Sequence, residues 1–305
     1  MSEFMENFSW LDLRHAVEHE PAPLDFVLPG FKSGTVGALV SPGATGKTML
    51  ALQAAITVSG GPDMLNFTGM DTAWQRNVGR VVFLTGEDPS DVLNGRFYSI
   101  GERLKQIEKE TVFTNLHVAP LVGRGVDVMT IEWRRWLASV TRDARLVIVD
   151  TLRRFHKLDE NDGGHMAGLL AYMEQLCREN STTVLFLHHT SKAGALNGGD
   201  AQQASRGSSV LTDNARFQAN LIGMTLDQAK QFNIDENCRR NFVRLSFPKI
   251  NYSAPIEDRW FQRGPRGVLE PAQLSYGGSS KLTMKEKYGK PRLSKVVGVG
   301  GENDW

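Results

Sequence analysis

The sequence predicts an α/β fold: a mostly parallel central sheet flanked by helices, with antiparallel strands added by its C-terminal part. Three observations carry this. From residue 35 onward, short apolar runs alternate with segments of helical period. One of those runs, TVLFL at 183–187, is continuous, as in strands buried on both faces. The runs also end in glycine, carboxylate or histidine, at the strand ends where open parallel sheets bind ligands.

Residues 1–33 carry mixed charge and Pro21, Pro23 and Pro29, which predicts an arm with at most one short helix around 10–18. A strand at 35–40 leads through SPGATGKT, 41–48, into a helix from about residue 47 to 59 that Gly60, Gly61 and Pro62 stop. Residues 63–79 show no period. The second strand is 80–85, and Asp88-Pro89 after it reads as an N-cap followed by proline at the first helical position. Its helix sets Val92, Leu93, Phe97, Ile100 and Leu104 on one stripe. A strand at 116–119 precedes a helix carrying Trp133, Trp136, Leu137 and Val140.

The strand 146–149 ends at Asp150, and a polar loop, 153–165, leads into a helix with Met166, Leu169, Leu170, Met173, Leu176 and Cys177 at helical spacing. The strand 183–187 closes on His188-His189. A glycine-rich loop, 191–206, a short helix and a strand around 216–222 follow. Candidate strands at 241–247 and 258–262, with a turn at Gly264-Pro265, read as antiparallel additions to the sheet edge. The expected organisation is an arm at 1–33, one domain at 34–271, and a basic, solvated, disordered tail at 272–305.

Lys plus Arg number 35 and Asp plus Glu 34 in 305 residues, a balance that excludes a globally basic coat for nucleic acid. Any polyanion must be met by a local patch or a channel formed on assembly. Cys177 and Cys238 are too few for a disulfide framework or a zinc site. The N-terminus lacks a leader pattern and no run of 18 apolar residues occurs, so a cytoplasmic protein with no membrane partner is expected.

The loop 41–48 lies between a strand and a helix, the setting a phosphate-binding loop requires. Gly43, Ala44, Thr45 and Gly46 would surround a phosphate chain with backbone N–H groups, and the helix N-terminus, from Lys47 through Met49, adds its dipole. Lys47 would reach the β- and γ-phosphates, and the Thr48 hydroxyl would bind Mg²⁺, so ATP and magnesium are the expected ligands. The usual pattern begins with glycine; Ser41 stands there instead. Asp150 sits where a carboxylate can hold Mg²⁺ through its water shell. Glu87 is the candidate general base, with Asp88 better explained as a helix cap. One of His188 and His189 would touch the γ-phosphate, the other pointing away. Two loops could meet nucleic acid: Arg153, Arg154, Phe155, His156 and Lys157, basic with an aromatic to stack on a base, and the glycine-rich loop with Lys192 and Arg206. Asp159, Glu160 and Asp162 offset the first.

GALVSPGATGKTMLALQ, FLTGEDP, LVIVDTLRRFH, FLHHTSK, QQASRGSSVLTDNARFQ and KINYSAP with DRWF together resemble the RepA replicative helicases of broad-host-range mobilisable plasmids, RecA-fold hexameric motors, over residues 24–271. The resemblance implies a RecA-like P-loop NTPase that forms a homohexamer, binds ATP between subunits and pulls single-stranded DNA through the ring in the 5′ to 3′ direction. It assigns Lys47 and Thr48 to nucleotide and metal, Glu87 to the water, Asp150 to magnesium and His188 to γ-phosphate sensing. Arg216 matches the arginine finger offered to a neighbour, with Arg206 the runner-up, and the two basic loops match the DNA-binding loops. Plasmid initiator and primase proteins are the further partners implied. The alternative is an ATP-occupancy switch of the same fold that controls replication without translocating.

Overall fold

The computed structural model describes residues 10–71, 74–189 and 210–275. The expected sites Lys192 and Arg206 lie outside them, as does nearly all of the expected tail.

Within the expected arm, α1 (Leu13–Glu18) is capped by the Asp12 carboxylate, which accepts from the His15 N–H at 3.0 Å, and buries none of its residues. The next segment behaves differently. β1 (Phe26–Leu28) and β2 (Phe31–Lys32) form a small antiparallel hairpin whose Val27, Leu28 and Phe31 are buried in the main core. Among the described residues, packing against the main core therefore begins at Phe26, within the segment expected to be an arm. Phe31 stacks on Phe217 with ring centroids 4.7 Å apart, a contact between segments too distant in sequence for local pattern to reveal.

The remaining elements are β3 (Val36–Ser41), α2 (Lys47–Val58), β4 (Val81–Thr85), α3 (Ser90–Gly101), α4 (Gln106–Asn115), β5 (Leu116–Pro120), α5 (Ile131–Thr141), β6 (Leu146–Asp150), α6 (Gly163–Glu179), β7 (Val184–His189), α7 (Val210–Asn214), β8 (Phe217–Gly223), α8 (Leu226–Gln231), β9 (Phe242–Ile250), β10 (Arg259–Arg263) and β11 (Leu269–Ala272). Nine strands form one sheet in the order β11-β10-β9-β8-β3-β7-β6-β4-β5. β8 through β5 run parallel; β9 and β10 are the antiparallel additions that the sequence predicts, and β11 is a third that it does not.

Alternation along the parallel strands divides the core in two. Leu39, Phe83, Ile148 and Leu187 face the layer holding α2 and the β1–β2 hairpin. Val40, Leu84, Val149 and Phe186 face the layer holding α5 and α6. Three elements differ from expectation. α4 carries no apolar stripe that would mark it in the sequence, because Val112 is its one buried residue; Glu108 accepts from the Lys105 N–H at its start. Asp88 does not cap α3: Pro89 occupies the N-cap, and the Asp88 carboxylate instead pairs with Arg96 at 3.0 Å. β11 is held by the Gln53 side chain, which donates to the Leu269 carbonyl at 2.9 Å and accepts from its N–H at 2.8 Å.

The contrast between hairpin and helix is testable by urea unfolding. Phe31→Ala should cost about 3–5 kcal/mol, whereas Val17→Ala on the exposed α1 should stay within about 0.5 kcal/mol of the parent. Equal midpoints for the two would refute the placement of the hairpin in the core.

Candidate active site

β3 delivers the chain to the loop with every residue of the strand buried. The loop turns back on itself through the Thr45 hydroxyl, which donates to the Pro42 carbonyl at 2.9 Å. Gly46 then takes a left-handed conformation, φ +100°, to start α2. Glycine suits that position twice over, since a Cβ would also sit 3.0 Å from Arg263 Nη1.

Lys47 is buried, with its ammonium 3.3 Å from His189 Nδ1 and 3.5 Å from the His188 carbonyl. Burial pushes its pKa down, and Asp150 and Glu87 pull in the other direction. Thr48 Oγ1 donates to Asp150 Oδ2 at 2.8 Å, linking the start of α2 to the end of β6. Asp150 is 0% exposed, and burial raises its pKa from 3.8 to about 6. Its Oδ1 is buried with no hydrogen-bond partner among the described residues. A hard divalent cation fits this pair of oxygens. No group of three or more His, Cys, Asp or Glu able to hold a metal occurs among the described residues, so such an ion would share its shell with nucleotide phosphates.

Glu87 follows β4 by two residues. It accepts from Thr151 Oγ1 at 2.9 Å, and its Oε1 lies 3.5 Å from His189 Nε2 and 3.9 Å from Arg154 Nε. The hydrogen bond from His189 is the main cause of a pKa lowered to about 2, with Thr151 and Lys47 assisting against partial burial. His189 thus spans Lys47 and Glu87. This corrects the expectation for His188: its side chain is buried on the other face of the sheet, and alternation after Leu187 turns His189 toward α2.

Lys47, Thr48, Glu87 and His189 border a cavity of about 420 Å³ that Arg263 and Arg266 also line, while Asp150 is buried behind Thr48. No sequence signal singles out either arginine. The Arg263 guanidinium donates to the Thr45 carbonyl, and burial pushes its pKa down. An apolar cavity of about 600 Å³ between α3 and α4 is larger, but Phe97, Val112 and Phe113 line it and none of the strand-end groups reach it.

Arg153, Arg154 and Lys157 are exposed, as a nucleic-acid surface needs. Phe155 and His156 are buried, so the aromatic expected to stack on a base belongs to the core. Arg153 is turned into its own loop, 3.7 Å from Glu160 and 3.2 Å from the His156 carbonyl. Arg216 does not join the cavity. It is exposed at the N-terminal end of β8, its N–H donating to the Val36 carbonyl, about 17 Å of strand away from the phosphate loop.

A phosphate-binding loop, a buried carboxylate bonded to the threonine after its lysine, and a parallel sheet extended by antiparallel strands define an ATPase of RecA-like fold. The chain belongs to the AAA domain family, whose model matches residues 3–195. Two solved structures share its fold. One is an ATPase domain that aligns over 81% of this chain and 88% of its own at 15% identity, with a TM-score of 0.50. The other, a KaiC-like protein from the hyperthermophilic archaeon Pyrococcus horikoshii OT3, aligns over 82% and 100% at 16% identity, with a TM-score of 0.52. Among the described residues no helix is long and apolar enough to cross a membrane.

The two carboxylates have opposite pH signatures. The contribution of Glu87 is fully present above its ordinary 4.5 and fades as pH falls toward about 2. Asp150 binds its proton more tightly when folded, so stability falls as pH rises from 3.8 to about 6, and Asp88 shifts in the same direction through burial. Between 4.5 and about 6 Glu87 adds no slope. Glu160 slopes the same way as Asp150, whereas His156, lowered from 6.5 by burial, slopes the other way, so the Asp150 contribution is read as the difference in slope between the parent and Asp150→Asn, both nucleotide-free and in chelator. Asp150→Asn should lose less stability than the parent as pH rises across that window and be more stable than it near neutral pH by about 1–3 kcal/mol. Urea titrations at several pH values check this, and a variant less stable than the parent near neutral pH would contradict it.

Proposed function

We propose that this chain is an ATP-driven DNA helicase that assembles as a ring, six-membered by its family resemblance, and moves 5′ to 3′ on single-stranded DNA during replication of a plasmid or other mobile element. The observation that carries the reading is the division of groups between the two ends of one sheet. The phosphate loop, Glu87, Asp150 and His189 gather at the carboxyl ends of the parallel strands, whereas exposed Arg216 stands at the opposite end. An arginine so placed can serve only a phosphate held by another copy, which makes hydrolysis depend on assembly.

In this reading, the N–H groups of the loop and the start of α2 bind the phosphates, and Lys47 neutralises charge on the β- and γ-groups. Glu87 orients the attacking water. The water oxygen bonds to the γ-phosphorus as the bond to the ADP oxygen breaks, and the proton leaves with phosphate and solvent. A carboxylate of such low pKa acts by positioning more than by basicity. His189, touching both Lys47 and Glu87, takes the sensing role that the resemblance gives to His188. Thr48 and Asp150 would hold Mg²⁺, which supplies charge neutralisation on the phosphates when bound. Arg153, Arg154 and Lys157, with Lys192 and Arg206, would face the DNA strand, and plasmid initiator and primase proteins would act with the ring.

The rival reading, a switch that binds ATP without translocating, draws on the burial of Phe155, which removes the base-stacking aromatic from the first loop. A forked duplex with a free 5′ strand separates the two. The parent should displace the strand and hydrolyse ATP faster with single strands present. Lys47→Ala should lose turnover by at least about 100-fold and all displacement while still binding DNA. No displacement and no stimulation in the parent would leave only the switch.

Arg216→Ala should lose hydrolysis by about 10³-fold with ring mass and ATP binding kept. Mixing it with Lys47→Ala subunits should restore turnover, because intact Arg216 would then face intact Lys47. Turnover unchanged in Arg216→Ala moves the role to Arg206 or elsewhere.

A further inference from the structure

The turn leaving β6 is locked to the turn leaving β4. The Gly86 N–H donates to the Asp150 carbonyl at 2.7 Å, and Thr151 Oγ1 donates to Glu87 Oε1 at 2.9 Å. The main chains approach so closely that a Cβ on Gly86 would lie 2.5 Å from Arg154 Cβ, so a substituted residue 86 would displace the turn. The two arginines of that turn are engaged differently. Arg153 is satisfied within its own loop by Glu160 and the His156 carbonyl. Arg154, 63% exposed, directs Nε to within 3.9 Å of the Glu87 carboxylate. Of these two arginines it is the one that reaches the hydrolytic centre and solvent together.

We propose that Arg154 is a positioning residue through which a bound polyanion controls hydrolysis: its guanidinium restrains Glu87 in the DNA-free protein, and a phosphodiester that captures the guanidinium releases the carboxylate to orient water. Carboxylate and phosphate compete for the same planar set of donors, so one arginine cannot serve both fully. Thr151 and His189 continue to hold Glu87, so release means a change of orientation and not loss of the group. The pair is exposed and longer than a hydrogen bond, so its effect is modest. The inference rests on the proposed action on single-stranded DNA, but the restraint itself is visible without DNA.

The test is steady-state ATP turnover of the full chain with and without a thymidine oligonucleotide, for the parent, Arg154→Ala and Arg154→Lys. Without DNA, Arg154→Ala should hydrolyse ATP about two- to fivefold faster than the parent, and added DNA should raise it no further. Lysine should restore a low basal rate and part of the stimulation. An Arg154→Ala basal rate equal to or below that of the parent overturns the proposal. So does full stimulation at higher oligonucleotide concentration, which would make Arg154 a DNA contact alone. A parent that DNA does not stimulate would refute the helicase reading and the release step together, whereas stimulation in the parent with a silent Arg154→Ala refutes the inference only.

Discussion

The carboxylate of Asp150 lies fully buried where the end of β6 meets the start of α2, and the surrounding site answers the electrostatic problem this creates. Desolvation disfavours its charged form, and one hydrogen bond from Thr48 with the nearby Lys47 charge offsets only part of that penalty. One of its oxygens has no partner among the described residues. A fold retains such an arrangement where a ligand supplies the missing charge, and a nucleotide arriving with a divalent cation would do so. Lys47 has the mirror problem: a buried ammonium whose pKa burial lowers, next to a loop suited to phosphate. Each group is poorly solvated alone and better satisfied once phosphate and metal lie between them.

The pleat of the sheet decides which side chains meet these two. Phe83, Ile148 and Leu187 point toward the α2 layer, so Thr85, Asp150 and His189, two residues further along each strand, do as well. Lys47 and Thr48 come from α2 itself. Glu87 lies beyond the strand and reaches the group through a turn that Thr151 holds in place. The site is therefore made of residues in phase on neighbouring strands plus one that depends on turn geometry.

That distinction explains what can be read in advance. The strand, loop and helix around Lys47 and the apolar run ending in Asp150 are local patterns, and both appear as expected. His189 is open to the same reading, since parity along TVLFLHH relates the second histidine to Leu187, but the facing layer of Leu187 becomes known only from the register with β3. Arg263 is out of reach. It comes to the phosphate loop because β10 adds antiparallel to a sheet that the loop left more than two hundred residues earlier in the chain, and nothing local marks it. Phe155 misleads for a related reason: basic neighbours suggest an exposed stretch, yet the ring packs beneath the turn with Leu152 and Met166. Arg216 and the exposed bases of the first loop are placed, while the chemistry assigned to them depends on a second chain and on nucleic acid.

The paired hydrogen bonds between Gln53 and Leu269 bear on motion. They fasten the outermost strand of the sheet to the helix that starts at the phosphate loop, and Arg263, one strand further in, grips the loop itself. The phosphate loop, its helix and the antiparallel edge are thus joined by side chains as well as by the sheet. A tilt imposed at the nucleotide would then be carried by these side-chain links to the far rim of the sheet.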